Sequence, residues 1–429
     1  MQGRFKRESS AADDGKPGGQ KDRGSLAGAA LGGGPAAPAA GPGDPAEERA
    51  SRDDGAAEPE PKPEAGQKPE KDAGLPTEYT GSRIALRNWR ISTRLVSLIA
   101  LPVVAATFFG ALRFKDSLED IEQLDNMQLL TEMTQHATEL AGRLQEERDR
   151  SAGPLVSGQS PKADEVAGAR ERTDAALAAF EDATLAINTD DPDMRGVHAT
   201  VLDISRQLRE LGQIREEAYG DPEYVSQTIT RYSELINSLL SLSMDMAQAT
   251  SNSEMIRSTR ALAAFSSAKE SASIQRAVIT AGLARAERDG GEAELSRSDW
   301  QYGNSAVRSE YASLQSFQQI YGNQAEELLE QLDSGMVSIV EANQYIGRIF
   351  SEQDRIQAEA RSYQEWYDES RAKIETMDRI EQTLLDSMDS QAHALQEDAR
   401  RDAIVNGAIT ALVLGVSLVG AFVVARSMV

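Results

Sequence analysis

The 429-residue chain has no cysteine. Disulfides, thiolate metal sites and cysteine nucleophiles are therefore excluded. It has three histidines, His136, His198 and His393, far apart and with no pair at metal-ligand spacing. No metal site is expected. Alternating β-branched or aromatic runs, the signal of strands, are missing. So are a glycine-rich phosphate loop and a nucleophile with a base at suitable spacing. The chain offers no catalytic constellation and implies no cofactor, so it is not read as an enzyme. Proline is scarce where it would interrupt helices: ten of the fifteen lie in residues 1–80, and none follows Pro222.

Positive charge is also in short supply. The chain carries 45 basic and 69 acidic residues, net −24. Residues 1–112 hold 15 of each, whereas residues 113–402 hold 29 basic and 54 acidic. That acidic segment is a poor match for nucleic acid or anionic lipid, so neither is an expected partner of its surface. It repels anions at long range unless basic groups are gathered locally.

Two apolar stretches without a charge, Leu95–Leu112 and Ala403–Ala425, bracket the acidic segment. The second makes about 34 Å of helix at 1.5 Å per residue, enough to span a bilayer. The first is shorter and holds Pro102, which transmembrane helices tolerate. Arg83, Arg87, Arg90 and Arg94 precede the first stretch and Arg426 follows the second. The positive-inside rule then places both termini in the cytoplasm and residues 113–402 outside, against the opposing pull of Arg113, Lys115, Arg400 and Arg401. The expected organisation is a disordered cytoplasmic tail over 1–82, rich in Ala, Gly, Pro and charge, then a basic flank and first transmembrane helix over 83–112. An extracellular helical domain follows over 113–402, in halves 113–250 and 251–402. A second transmembrane helix and the start of a cytoplasmic side occupy 403–429. An output domain is expected beyond Val429.

The external segment is expected to be all-α. Apolar residues recur at three-four spacing in Leu130, Met133, Ala137, Leu140 and Leu144. Tyr224, Ile229, Tyr232, Leu235, Ile236, Leu239 and Leu242 form a broader stripe, and Met377, Ile380, Leu384, Met388 and Leu395 a third. Such stripes mean bundle packing. About 290 residues in helices of this length imply about eight helices, too many for one four-helix core, so two stacked four-helix bundles are expected. Breaks are expected at Gly153–Pro161, Asn188–Pro192, Gly220–Pro222, Ser251–Ser253, Asp289–Gly291, Gly322–Asn323 and Ser334–Gly335. Asp191-Pro192 and Asp221-Pro222 read as N-cap followed by N1 proline. No proline lies between Pro102 and Pro154, and neither glycine nor proline between Gly347 and Gly407. Each apolar stretch can thus run straight into an external helix, a route for transmitting displacement. Two-span sensors commonly act as dimers, and a parallel homodimer is expected.

Basic residues lie on the apolar faces. Extending the first stripe past Leu144 gives Arg148 and Ser151. Leu262, Phe265, Lys269, Ala272, Arg276 and Ile279 place Lys269 and Arg276 in mid-stripe. A buried charge needs a counter-charge. One candidate is an internal acid such as Glu147 or Glu270. The other is an exogenous small planar oxyanion, which suits a guanidinium fork.

The segments Leu140-Ala141-Gly142-Arg143-Leu144-Gln145-Glu146-Glu147-Arg148-Asp149-Arg150-Ser151 and Ala268-Lys269-Glu270-Ser271-Ala272-Ser273-Ile274-Gln275-Arg276-Ala277 resemble two motifs of the nitrate- and nitrite-sensing domain family. The resemblance covers roughly 115–400. It implies an anion, nitrate or nitrite, held between helices by Arg148 and Arg276, with Arg150 and Lys269 as further candidates and Arg348 and Arg355 as unsupported ones. Asp149 departs from the pattern, in which a small residue is common there. The layout also resembles the kinase-like first component of actinobacterial conservons. That likeness implies a two-component, histidine kinase-like output and cytoplasmic signalling partners. The rival reading is a helical interaction module that senses a protein or envelope component and binds no small ligand.

Overall fold

The computed structural model describes residues 91–427 apart from 189, 190, 193, 222, 251, 292, 334, 335, 354 and 360. The tail expected over 1–82 and the start of the basic flank lie outside the described residues. Among the described residues every regular element is a helix: α1 (Ile91–Val156), α2 (Asp164–Thr184), α3 (Arg195–Leu208), α4 (Leu211–Glu217), α5 (Val225–Ala249), α6 (Ser253–Asp289), α7 (Arg297–Tyr321), α8 (Asn323–Asp333), α9 (Val337–Ile349), α10 (Arg355–Ala358) and α11 (Tyr363–Ser427). The fold is all-α.

Eleven helices thus stand where about eight were expected. The added ones are short pieces made by breaks that no glycine or proline marks, at 209–210 and over 350–362. The expected breaks do separate helices, but α1 runs on through Gly153 and Pro154 to Val156. The two Asp-Pro pairs are not caps. α3 starts at Arg195 behind Met194, and α5 at Val225 behind Tyr224. The Asp221 carboxylate instead accepts the Glu223 N–H at 3.0 Å, a local turn that competes with helix initiation. Tyr224, lying before the helix, is exposed rather than part of the stripe.

The other stripe residues are buried as their spacing requires, apart from Leu395, which is half-buried against the core. α6 is well delimited: Asn252 Oδ1 accepts the N–H groups of Glu254 and Met255, and Gly290 closes the C-terminus at φ +62°. The buried apolar residues form two clusters. One takes α1 as far as Leu144 and α6 as far as Ala272. The second takes α1 from Ala152 and α6 from Ala277. Both clusters draw on residues either side of position 250. Where the clusters meet on α1 and α6, most side chains are polar or charged, and these residues, with Lys269 and Glu270 just inside the first cluster, form the site described below.

α1 and α11 are single helices of 66 and 65 residues and pack along each other. Their ends carry exposed apolar side chains: Leu101, Val104 and Phe108 on α1, and Ile404, Leu412, Val416 and Phe422 on α11. A Cβ at Gly110 would lie 2.7 Å from Thr410 Cγ2, so the two helices meet there at a distance only glycine allows. Among the described residues one helix, α11, is long and apolar enough to cross a membrane. The first apolar stretch is helical, but the side chains of 95, 96, 98 and 99 lie outside the described set.

Candidate functional site

Between the two apolar cores, α1 contributes Glu147, Arg148, Asp149 and Ser151, and α6 contributes Lys269, Glu270, Ser273 and Arg276, all buried. The helical period makes this layer. Arg148 and Ser151 continue the stripe of α1, and Lys269 and Arg276 sit within that of α6.

Arg148 is fully enclosed and uses all five of its N–H donors. Nε donates to Asp149 Oδ1 (2.9 Å), one terminal nitrogen to Ser233 Oγ (2.9 Å) and Glu270 Oε1 (2.6 Å), the other to Glu270 Oε2 (3.3 Å) and Ser273 Oγ (2.7 Å). Arg276 approaches Asp149 from α6: Nε is 2.9 Å and a terminal nitrogen 2.8 Å from Oδ2, which also accepts from Ser273 Oγ at 2.6 Å. One carboxylate therefore joins two arginines from two helices. Arg276 also stacks over the Tyr367 ring of α11 at 4.8 Å, with Arg150 near the same ring at 5.3 Å.

Burial disfavours the charge on Arg148, but Glu270 and Asp149 more than offset it and raise its pKa. For Lys269 the same opposition is resolved upward by Glu381 and Asp378. For Arg276 burial is overcome by Tyr367 and Asp149. All three stay cationic. Lys269 Nζ lies 2.6 Å from Glu381 Oε2 and also pairs with Asp378, so it ties α6 to α11. Glu147, one of the two internal acids considered for the stripe arginines, serves Arg215 instead, at 2.7 and 2.8 Å, and accepts from Tyr232 at 2.9 Å. The other, Glu270, does pair with Arg148.

A cleft of about 570 Å³ opens beside this layer, between α1, α6 and α11. Arg143, Arg150, Lys269, Arg276 and Arg371 line it, with five carboxylates interleaved. A smaller cavity of about 80 Å³ reaches Asp149 itself and is bordered by Arg150, Thr280, Tyr367 and Arg371. Close by, the ring of Tyr363 packs on Gly153, where a Cβ would come within 2.3 Å of it. Three buried atoms of the layer have no hydrogen-bond partner in the structure: Gln145 Oε1, Ser151 Oγ and Gln275 Oε1. Of these only Ser151 can donate to an anion; the other two are acceptors.

Of the residues expected to hold an anion, Arg150, Lys269 and Arg276 share the cleft wall. Arg148 is sealed behind it and reaches Arg276 only through Asp149. Arg348 and Arg355 are elsewhere, half-exposed on α9 and α10 and paired with Glu359 and Glu352. Tyr367, Arg371 and Glu381 were not anticipated. Glu381 carries the same signal as Lys269: Ile374, Met377, Glu381, Leu384 and Met388 step by 3, 4, 3, 4, so an acid sits in mid-stripe.

Comparison with known proteins places the chain in a family. The family model for nitrate and nitrite sensing (NIT) matches residues 139–389, more than half of the chain. The chain belongs to the nitrate- and nitrite-sensing family. Among solved structures it is similar to that of the NasR transcription antiterminator, with a TM-score of 0.55 and 19% identity over 73% of this chain and 82% of that one. At that identity the likeness is one of fold. No curated protein matches the chain.

Proposed function

We propose that the chain is the sensing part of a membrane receptor that reads a small planar oxyanion, nitrate or nitrite, in the arginine layer between α1, α6 and α11. The observation that carries this reading is the convergence of Arg148 and Arg276, from the two segments that carry the family resemblance, on one planar oxygen pair beside a cleft. A guanidinium binds such an edge with short charge-assisted hydrogen bonds. The two apolar cores are read as two stacked four-helix bundles that share α1 and α6.

The same reading takes the exposed apolar ends of α1 and α11 as two transmembrane spans, because contiguous apolar surface of this extent is costly in water. The acidic domain then lies outside, both termini lie inside, and α1 and α11 carry the ligand's effect to a histidine kinase-like output and its cytoplasmic partners. A parallel homodimer completes the receptor.

A second reading has one specific observation behind it. Every cation of the layer already has a carboxylate, so the domain could be a helical interaction module with no small ligand. Titration of the full chain in lipid nanodiscs separates the two. Nitrate and nitrite, but not chloride, are expected to raise the melting temperature by mass action, with about 2.7 kcal/mol of added stability at a hundred times the Kd. Arg276→Lys, which keeps charge and loses the fork, is expected to weaken binding roughly ten-fold. Nitrate and nitrite that leave the wild-type melting curve unmoved would sink the ligand reading and favour the interaction module.

A further inference from the structure

We infer that the Asp149 carboxylate is a tethered occupant of the anion position, which a free planar oxyanion must displace, and that Asp149 thereby sets the affinity of the site. This rests on the oxyanion reading above.

The geometry carries the inference in three steps. Asp149 is wholly buried, and its two oxygens receive Arg148, Arg276 and Ser273 at 2.6–2.9 Å. A carboxylate presents two oxygens on one central atom in a plane, and so does an edge of nitrate or nitrite. A pair of guanidiniums cannot distinguish them by hydrogen-bond pattern. Charge comes next. Arg148 and Arg276 are balanced by Asp149 and Glu270, so a further anion in this enclosed layer would leave an uncompensated negative charge. The guest must come in place of a carboxylate.

Asp149 is the one placed to leave. Glu270 takes two hydrogen bonds from Arg148 and others from Ser233 and Gln145, at 2.6–3.3 Å, and does not touch Arg276. Asp149 alone bridges both arginines, and it alone of the two borders the 80 Å³ cavity. Arg150 and Arg371 border that cavity too, with Glu165 and Asp368; Arg150 pairs with Glu146 and Arg371 with Asp368, so a displaced carboxylate would share one of these cations with its present partner. The exchange would also remove one tie between α1 and α6, Asp149 to Arg276, and leave those of Arg148 and Gln145 to Glu270 in place.

The test compares wild type, Asp149→Asn and Asp149→Ala as full chains in nanodiscs, by calorimetric titration with nitrate, nitrite and formate. Formate is a free carboxylate and serves as the in-trans replacement. Removing the tethered competitor is expected to tighten nitrate binding roughly ten- to a hundred-fold. Asp149→Ala should melt below wild type without anion and recover saturably with nitrate or formate. Wild type that binds nitrate as tightly as both variants would overturn the inference and leave the oxyanion reading standing. Binding by the variants alone would support Asp149 as the occupant and remove nitrate sensing from the native chain. Silence in all three would overturn both. Variants that stay unfolded even in saturating nitrate or formate would overturn the inference, since the anion should replace the lost carboxylate.

Discussion

Lys269 and Arg276 lie seven residues apart on one face of α6, both in the middle of an apolar stripe, and their surroundings differ. Lys269 takes its carboxylates from α11, through Glu381 and Asp378. Arg276 takes its carboxylate from α1, through Asp149, and its flat face rests on Tyr367. The ammonium is a point charge that any arrangement of acids can satisfy. The Arg276 guanidinium brings two nitrogens to one carboxylate oxygen, whose other oxygen takes Arg148, and a free planar oxyanion can offer the same pair of oxygens. A base on an apolar stripe is one signal with two outcomes, and the partner helix decides which.

Removing Arg148 should sharpen the contrast most. Arg148→Met leaves Asp149 and Glu270 buried with fewer donors, and the expected cost is about 3–5 kcal/mol of stability. Denaturant unfolding would measure it. A loss below about 1 kcal/mol would mean that water or rearrangement satisfies the layer. The lysine side should respond less and should be repairable. Lys269→Met is expected to cost about 1–3 kcal/mol, because one of its acids, Asp378, is half-exposed. Adding Glu381→Leu should recover most of that, since an apolar pair can replace a buried ion pair. If the double variant is also deaf to nitrate while Arg276 is intact, the distinction between the two bases fails.

The smallest effect concerns Glu146 at the cleft wall. Burial would raise its pKa, but Arg172 and Arg150 prevail and hold it below the usual carboxylate range. A depressed carboxylate stabilises the fold above its unfolded value, and that contribution is lost as pH falls through the folded one. Glu146→Gln should therefore flatten part of the acid limb of a stability–pH profile, by less than about 1 kcal/mol because its arginines are partly exposed. An unchanged acid limb would show that these pairs contribute nothing measurable.

Much of this was readable in the chain. Stripes at Leu130–Leu144 and Met377–Met388 located buried faces, and Lys269 and Arg276 declared themselves as charges on such a face. Glu381 could have been found by the same test applied to α11. The unreadable part was inter-helix register. Periodicity says that Arg148 points inward, and it does not say that Ser233, Glu270 and Ser273 await it from two other helices. Helix starts failed where a side chain offered the backbone an alternative, as Asp221 does. The break over 350–362 has no glycine or proline to mark it.

The close approaches of α1 and α11 have a mechanical consequence. Tyr363 seats on Gly153 at one end of the pair, and Thr410 on Gly110 well before the other. Two rods clasped at two separated points form a frame rather than tongs. Prising them apart must break a clasp, and turning or sliding either helix would bring a side chain with a Cβ to a place that only glycine fits. Asp149 lies on α1 between the clasps, about one turn from the one at Gly153. On the proposed reading, a disturbance at the arginine layer would therefore travel with α1 and α11 moving as one body rather than by either helix sliding on the other.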